Sequence, residues 1–393
     1  MTEPTDERTH FGYSEQILIL IGAGTLVTHL GWFVLPPLLP SIVAELEISR
    51  TLGGVALSLL TLFAAVSRYP GGKLADELSE KTVITFSLGI TMVGILTLAN
   101  APNYPFFVLG VVLLGTGLGT YVPSSVVQIS ELFRVKQGRA LGVNNAAANL
   151  SGICASGLAS VVLLVGPWQL AFVPIIGMLL VLLVLWHVWN RSTYRMRSFE
   201  IRVGEVVKRL FLSQQIRLVI VIVALLAFVW NGALSFLPTF LETERGFSVE
   251  LASLAFGALF VLGIFTTPLT GAAGDRFGHL RTLVVLICCC LFGLLAIVTA
   301  TNVPGTILGV LVFAVGLTGY LPVATAYLME SLDDAKKGRD YGMIGAINMG
   351  VGSAGPAYVG LVGDTVHFTA AYAGLGVCLL VCLAVVTWLF LTQ

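Results

Sequence analysis

Charged residues are scarce in this chain, and those spaced to do chemistry come in two copies. "GGKLADELSEK" (71–81) carries Gly72, Asp76 and Lys81, and "GAAGDRFGHLR" (271–281) carries Gly271, Asp275, Arg276, Gly278 and Arg281. The two aspartates lie 199 residues apart in a chain of 393. A glycine lets two backbones approach closely. An aspartate four residues later is a charge that can face the positive end of a helix or a guanidinium. The same offset relates "GLGTYVP" (117–123) to "GLTGYLP" (316–322) and Glu131 to Glu330. "KQGRALG" (136–142), with Arg139, maps onto "KKGRDYG" (336–342), with Arg339, one residue further on. The chemistry this implies is a reversible clasp: carboxylates against arginines and helix ends, each bond contributing about 1–3 kcal/mol, strong enough to hold and weak enough to break.

A second set of polar residues lies inside apolar runs, where a polar group needs a partner or a role. Arg68 precedes Gly72 by four residues and is either a snorkelling cation serving the clasp or an anion-binding group. His29 is the only deeply placed titratable group and a candidate proton carrier. Trp32, Tyr121, Asn145, Asn149, Asn231, Tyr320 and Asn348 are the further candidates to line a path, with Thr25, Gln128 and Asn144 beside them. For most of these, bonding between helices is the competing role. No Asp or Glu lies deep in an apolar run, which gives weight to uniport or exchange against proton coupling. The five histidines are scattered, no H-E-x-x-H occurs, and the six cysteines show no metal spacing. No catalytic residue, metal or cofactor is expected.

These residues must be positioned by membrane helices. Hydrophobic residues make up 56% of the chain and charged ones 11%, against about 25% charged in a soluble domain. The formal net charge is zero, so the composition gives no support to nucleic-acid binding. Runs of about 20 apolar residues predict spans near 16–40, 51–74, 82–100, 104–130, 140–165, 168–190, 217–241, 248–272, 282–300, 304–329, 340–362 and 368–391. The polar start "MTEPTDERTH" is unlike a cleaved signal. With the N-terminus inside, 18 of the 21 Lys and Arg residues fall on the cytoplasmic side, which places both termini there. The expected organisation is a tail (1–15), a six-helix bundle (16–190), a basic linker (191–216) with an interfacial helix over 199–212, and a second six-helix bundle (217–393).

The duplicated motifs resemble those of the major facilitator superfamily over nearly the whole chain. That family carries G-x-x-x-D-R-x-G-R-[RK] after helix 2 and, more weakly, after helix 8. It carries E-x-x-x-x-x-x-G-R-x-x-G after helix 4, matched here by Glu131, Gly138, Arg139 and Gly142. In the first copy Glu77 and Ser79 replace the arginine and second glycine. The resemblance implies an all-α membrane protein of twelve transmembrane helices in two pseudo-symmetric six-helix bundles. It implies a secondary transporter working by alternating access, monomeric, in the cell membrane. Its partners would be a small solute, the lipid bilayer and a coupling proton or exchanged counter-substrate. Nitrate porters of the superfamily have an arginine where Arg68 stands and another in helix 8, where this chain has Thr267. A small organic anion is therefore a candidate solute. A drug or metabolite efflux antiporter, or a non-transporting membrane sensor on the same fold, are the alternatives. The antiporter-associated G-x-x-x-G-P pattern of helix 5 is missing.

Overall fold

The structure, a computed structural model of the chain, describes residues 12–77, 79–133, 137–193, 214–332 and 337–392, with only the backbone described at 69, 73, 75–77, 215 and 337–341. The interfacial helix expected over 199–212 lies outside these residues, as do the side chains of Asp76 and Arg339.

The first half consists of α1 (Tyr13–Phe33), α2 (Leu35–Glu45), α3 (Arg50–Glu77), α4 (Glu80–Ala99), α5 (Tyr104–Leu132), α6 (Gln137–Val165) and α7 (Phe172–Trp189). The second consists of α8 (Gln214–Arg245), α9 (Val249–Phe277), α10 (His279–Thr299), α11 (Val303–Ser331), α12 (Lys337–Gly352), α13 (Ala354–Thr365) and α14 (Phe368–Thr392). Among the described residues the continuous helices α1 with α2, α3 to α11 and α14 supply eleven spans long and apolar enough to cross a bilayer. A 29-residue helix such as α5 is about 43 Å long at 1.5 Å per residue, so it exceeds the ~30 Å hydrocarbon layer. Large apolar side chains such as Phe86, Phe265, Phe292 and Leu391 point outward, where lipid takes the place of a core.

The twelfth span departs from the expected continuous run at 340–362. It is two helices, α12 and α13, broken at Ser353. Pro356 has no N–H to give back to the preceding turn, and Ser353 bonds its own neighbourhood instead, its Oγ donating to Gly350 O at 2.6 Å. The flanking glycines explain why the break is useful. A Cβ on Gly355 would collide with the Phe228 carbonyl of α8.

The duplication is visible in the packing. Gly94 of α4 meets the backbone of Leu114 in α5, and Gly293 of α10 meets that of Phe313 in α11. Gly110 packs on Leu98, and Gly309 on Ile297. Asn103 and Asn302 cap α5 and α11 in the same way, each side chain accepting from the backbone N–H three residues on. Each half is thus one bundle built to one plan.

The bundles meet along two main seams: α3 against α12 and α13, and α6 against α9, with α2 on α8 beside them. The close contacts cluster at the end remote from the Gly–Asp turns. Gly54 abuts the Pro356 carbonyl, Gly152 faces the Phe260 ring, and Ser156 Oγ donates to Ser253 O. At the other end Gly138, Gly142 and Gly342, and further in Gly345 and Gly350, have open space where a side chain would go. Among the described residues the halves are joined at one end and parted at the other.

Candidate functional site

The residues expected to line a path separate by burial. Half-buried positions hold His29, Trp32, Arg68, Asn149, Asn231 and Asn348. His29 lies near the middle of the Tyr13–Glu45 span, and its Nδ1 is 2.8 Å from Thr25 O. A carbonyl only accepts, so Nδ1 carries the proton. Its ring sits 6.0 Å from Phe33, which packs at 4.6 Å on Phe260 of the other half. Trp32 lies beside the same phenylalanine at 6.2 Å. Arg68 of α3 is near enough to the His29 ring to act on it electrostatically. Asn149 of α6 reaches α9, its Oδ1 3.4 Å from where a Gly263 Cβ would stand. Asn231 of α8 returns its amide to Ala227 O at 2.9 Å, and Asn348 of α12 has a sealed Oδ1 with no hydrogen-bond partner among the described residues.

The matched tyrosines behave differently. Tyr121 is 1% exposed, and its hydroxyl donates to Ile21 O at 2.6 Å over Gly24. It ties α5 to α1 in this conformation and offers no polar atom to a solute. Tyr320 is also buried, edge-on to Trp230 at 6.5 Å. Asn145 is exposed, while its neighbour Asn144 turns inward and accepts from Thr25 Oγ1 at 2.6 Å. Adjacent asparagines on one helix point about 100° apart, so sequence could not say which one bonds.

At the second Gly–Asp turn no ion pair to the other half is seen among the described residues. Asp275 has a side chain 79% exposed and lies 3.5 Å from His279. His279 Nδ1 is 3.1 Å from Glu330, so one imidazole links the ends of α9 and α11. This contact was not anticipated, although His279 occupies the position where the family motif has arginine. In the first copy that position is Glu80, which meets Glu131 within hydrogen-bonding reach. Arg139 is exposed with no ion pair among the described residues. Arg276 lies over its neighbour Phe277 at 5.2 Å.

Two expectations about the turns need correction. Gly72 and Gly271 are not at the tightest contact: a Cβ would sit 3.7 Å from Pro123 and 4.0 Å from Pro322, ordinary spacing. The steric demand falls on Gly71, whose Cβ would come within 2.7 Å of Thr120 Cα. Lys81 is a strut within its own half: it is 6% exposed, and its Nζ donates to His187 O and Asn190 O at 3.1 and 2.6 Å, capping the end of α7. Arg281 packs at 5.3 Å over Phe390 of α14. The missing glycine at Ser79 is also explained. Gly278 turns the chain with φ +93°, whereas Ser79 stays extended and caps α4 with its own side chain.

The sequence profile of the Major Facilitator Superfamily matches residues 21–320 and 246–393. The chain belongs to that superfamily. A hexuronate transporter of Bacillus subtilis (strain 168) is 24% identical over 382 residues, covering 91% of this chain and 89% of the relative. A probable nitrate transporter of Staphylococcus epidermidis is 24% identical over 65% of each chain. Among solved structures, a bacterial homologue of the human lysosomal transporter Spinster, inward-facing and unoccupied, superposes with a TM-score of 0.78 at 15% identity over 96% of this chain and 95% of that one. The D-xylose–proton symporter gives 0.73 at 18% identity over 95% and 97%. The protein is a multi-span membrane transporter with two six-helix bundles.

Proposed function

We propose that this transporter carries a small organic anion by alternating access, through a site between the two halves. Arg68 carries the proposal. It places a permanent guanidinium on α3 in a half-buried position, electrostatically coupled to His29 on α1. Arginine pairs with carboxylates through a planar fork that lysine lacks. Two relatives support the reading, since the hexuronate and nitrate named for them are both anions. Thr267 stands where nitrate porters have their second arginine, which favours a carboxylate over nitrate.

The conformation fits one half of such a cycle. With Lys and Arg concentrated on the cytoplasmic side, the parted end faces inward and the joined end outward. The half-buried asparagines Asn149, Asn231 and Asn348 supply neutral donors and acceptors for the rest of the solute.

Proteoliposome counterflow with radiolabelled glucuronate tests the proposal. Uptake competed by other small carboxylates is expected. Arg68→Ala should lower it more than tenfold, and Arg68→Lys should retain a measurable fraction with raised KM. Transport of neutral sugars or cations alone, with carboxylates neither carried nor competing, would overturn the anion assignment.

A further inference from the structure

The joined end carries a bond that neither the motifs nor the duplication anticipate. Asp364 Oδ2 accepts from both the backbone N and the Oγ1 of Thr51, each at 2.6 Å, across 313 residues and between the two halves. Thr51 lies in the first turn of α3, where backbone N–H groups have no acceptor in their own helix and the helix end is positive. Asp364 lies in the last turn of α13, where its own helix dipole disfavours a carboxylate. Its favourable setting is therefore supplied by α3, a helix of the opposite bundle.

Two comparisons make the placement informative. The position 200 residues earlier is Leu164, an outward-facing residue at the end of α6, so the first half has no such carboxylate. The N-terminus of α9, equivalent to that of α3, is capped by its own Ser248. α3 has its own cap in Ser49, which accepts from Leu52 N at 3.1 Å, and takes Asp364 in addition. Beneath this bond the backbones touch. Ala357 N donates to Ser58 Oγ at 2.8 Å, a Cβ on Gly54 would strike the Pro356 carbonyl, and one on Gly360 would lie 2.6 Å from Arg50 O.

We propose that Asp364 is the latch of the joined end: its carboxylate holds α3 to α13 in the conformation parted at the Gly–Asp turns, and must release Thr51 before that end can open. It is a positioning residue for the conformational step, not a solute ligand. It opposes the clasp at Asp275, so the two carboxylates would favour opposite states of one equilibrium. The latch rests on the alternating-access reading above, and its test needs no solute.

Hydrogen–deuterium exchange of the full chain in nanodiscs reads both ends at once. Asp364→Ala should raise uptake over 51–58 and 354–365 and lower it over 137–146 and 342–350, as the parted end closes. A tenfold shift between the states is expected, equivalent to about 1.4 kcal/mol. Loss of a helix cap alone would raise uptake at 51–54 and leave the remote end unchanged. That result, or no change at either end, overturns the latch. Unaltered exchange in α7 and α14 verifies folding. If the alanine variant fails to fold, Asp364→Asn, which keeps an acceptor and loses the charge, should give the same reciprocal change at smaller amplitude, and its absence is equally fatal. Gly54→Leu separates the latch from the rocking motion, because it wedges the same seam by steric means. If it produces the reciprocal change and Asp364→Ala does not, the latch falls and the two-state reading stands. If neither does, the rocking motion itself is refuted and the latch falls with it.

Discussion

Lys81 shows how a motif residue can be read correctly by type and differently by role. Its charge and position in the repeat point to a clasp between halves, yet its ammonium lies on two carbonyls at the end of α7. Carbonyls at a helix C-terminus lack intrahelical donors and carry partial negative charge, so a buried lysine is stable there. Lys81→Met keeps the stem and removes those bonds. It should lower stability by about 2–3 kcal/mol, given 1.5–3 kcal/mol for a bond to a charged group, with the KM of transport unchanged. A thermal melt beside a transport assay checks this. A normal melt with altered conformational balance would return Lys81 to the clasp. Residue types within the membrane were legible in advance, because a polar side chain in an apolar run stands out. Their partners were not. Asn144 and Asn145 are equivalent in sequence, and only the rotation of α6 decides that the first accepts from Thr25. Asp364 and Thr51 are 313 residues apart, and no local pattern encodes their meeting.

At the scale of elements, apolar run length identified the continuous helices, because a span needs about 20 residues and little else. The break at Ser353 was hidden for the same reason: α12 and α13 together form one apolar run, and Gly355 with Pro356 reads as tolerated within it. The turns between α3 and α4 and between α9 and α10 offer a sharper lesson. Both reverse the chain after the aspartate, one with an extended, side-chain-capping Ser79 and one with Gly278 at φ +93°, ψ 138°. That backbone region is nearly closed to residues with a Cβ. Gly278→Ser should therefore destabilise the protein by about 1–3 kcal/mol. Ser79→Gly loses only the cap contribution, a few tenths of a kcal/mol. The two melting temperatures are the measurement, and equal shifts would show that the turns are interchangeable. The departure of the first motif copy from the family pattern then has a local cause: a serine cap does the work of a left-handed glycine.

For the whole molecule to rock, contacts within a bundle must survive the cycle and contacts between bundles must not. The glycines divide along that line. Gly293 packs on the backbone of Phe313, its partner in the same half, while Gly257 of α9 faces Ser156 of α6 across the seam, with a Cβ only 2.8 Å from that of the serine. Leucine at either site adds similar volume and ought to act in different ways. In Gly293→Leu the extra atoms have no state in which to fit, since α10 and α11 stay together throughout. Overpacking of this kind lowers stability by about 1–3 kcal/mol or more, so the variant should melt early and exchange faster throughout the second half. In Gly257→Leu the atoms fit once the seam opens, so the folded protein should persist with its balance moved toward the alternative state. Slower exchange over 137–146 and 342–350, with α7 and α14 unchanged, would register that movement. If Gly257→Leu instead melts like Gly293→Leu with no reciprocal protection, α6 and α9 behave as parts of one core, and the division into two moving bodies fails at the seam where it should be clearest.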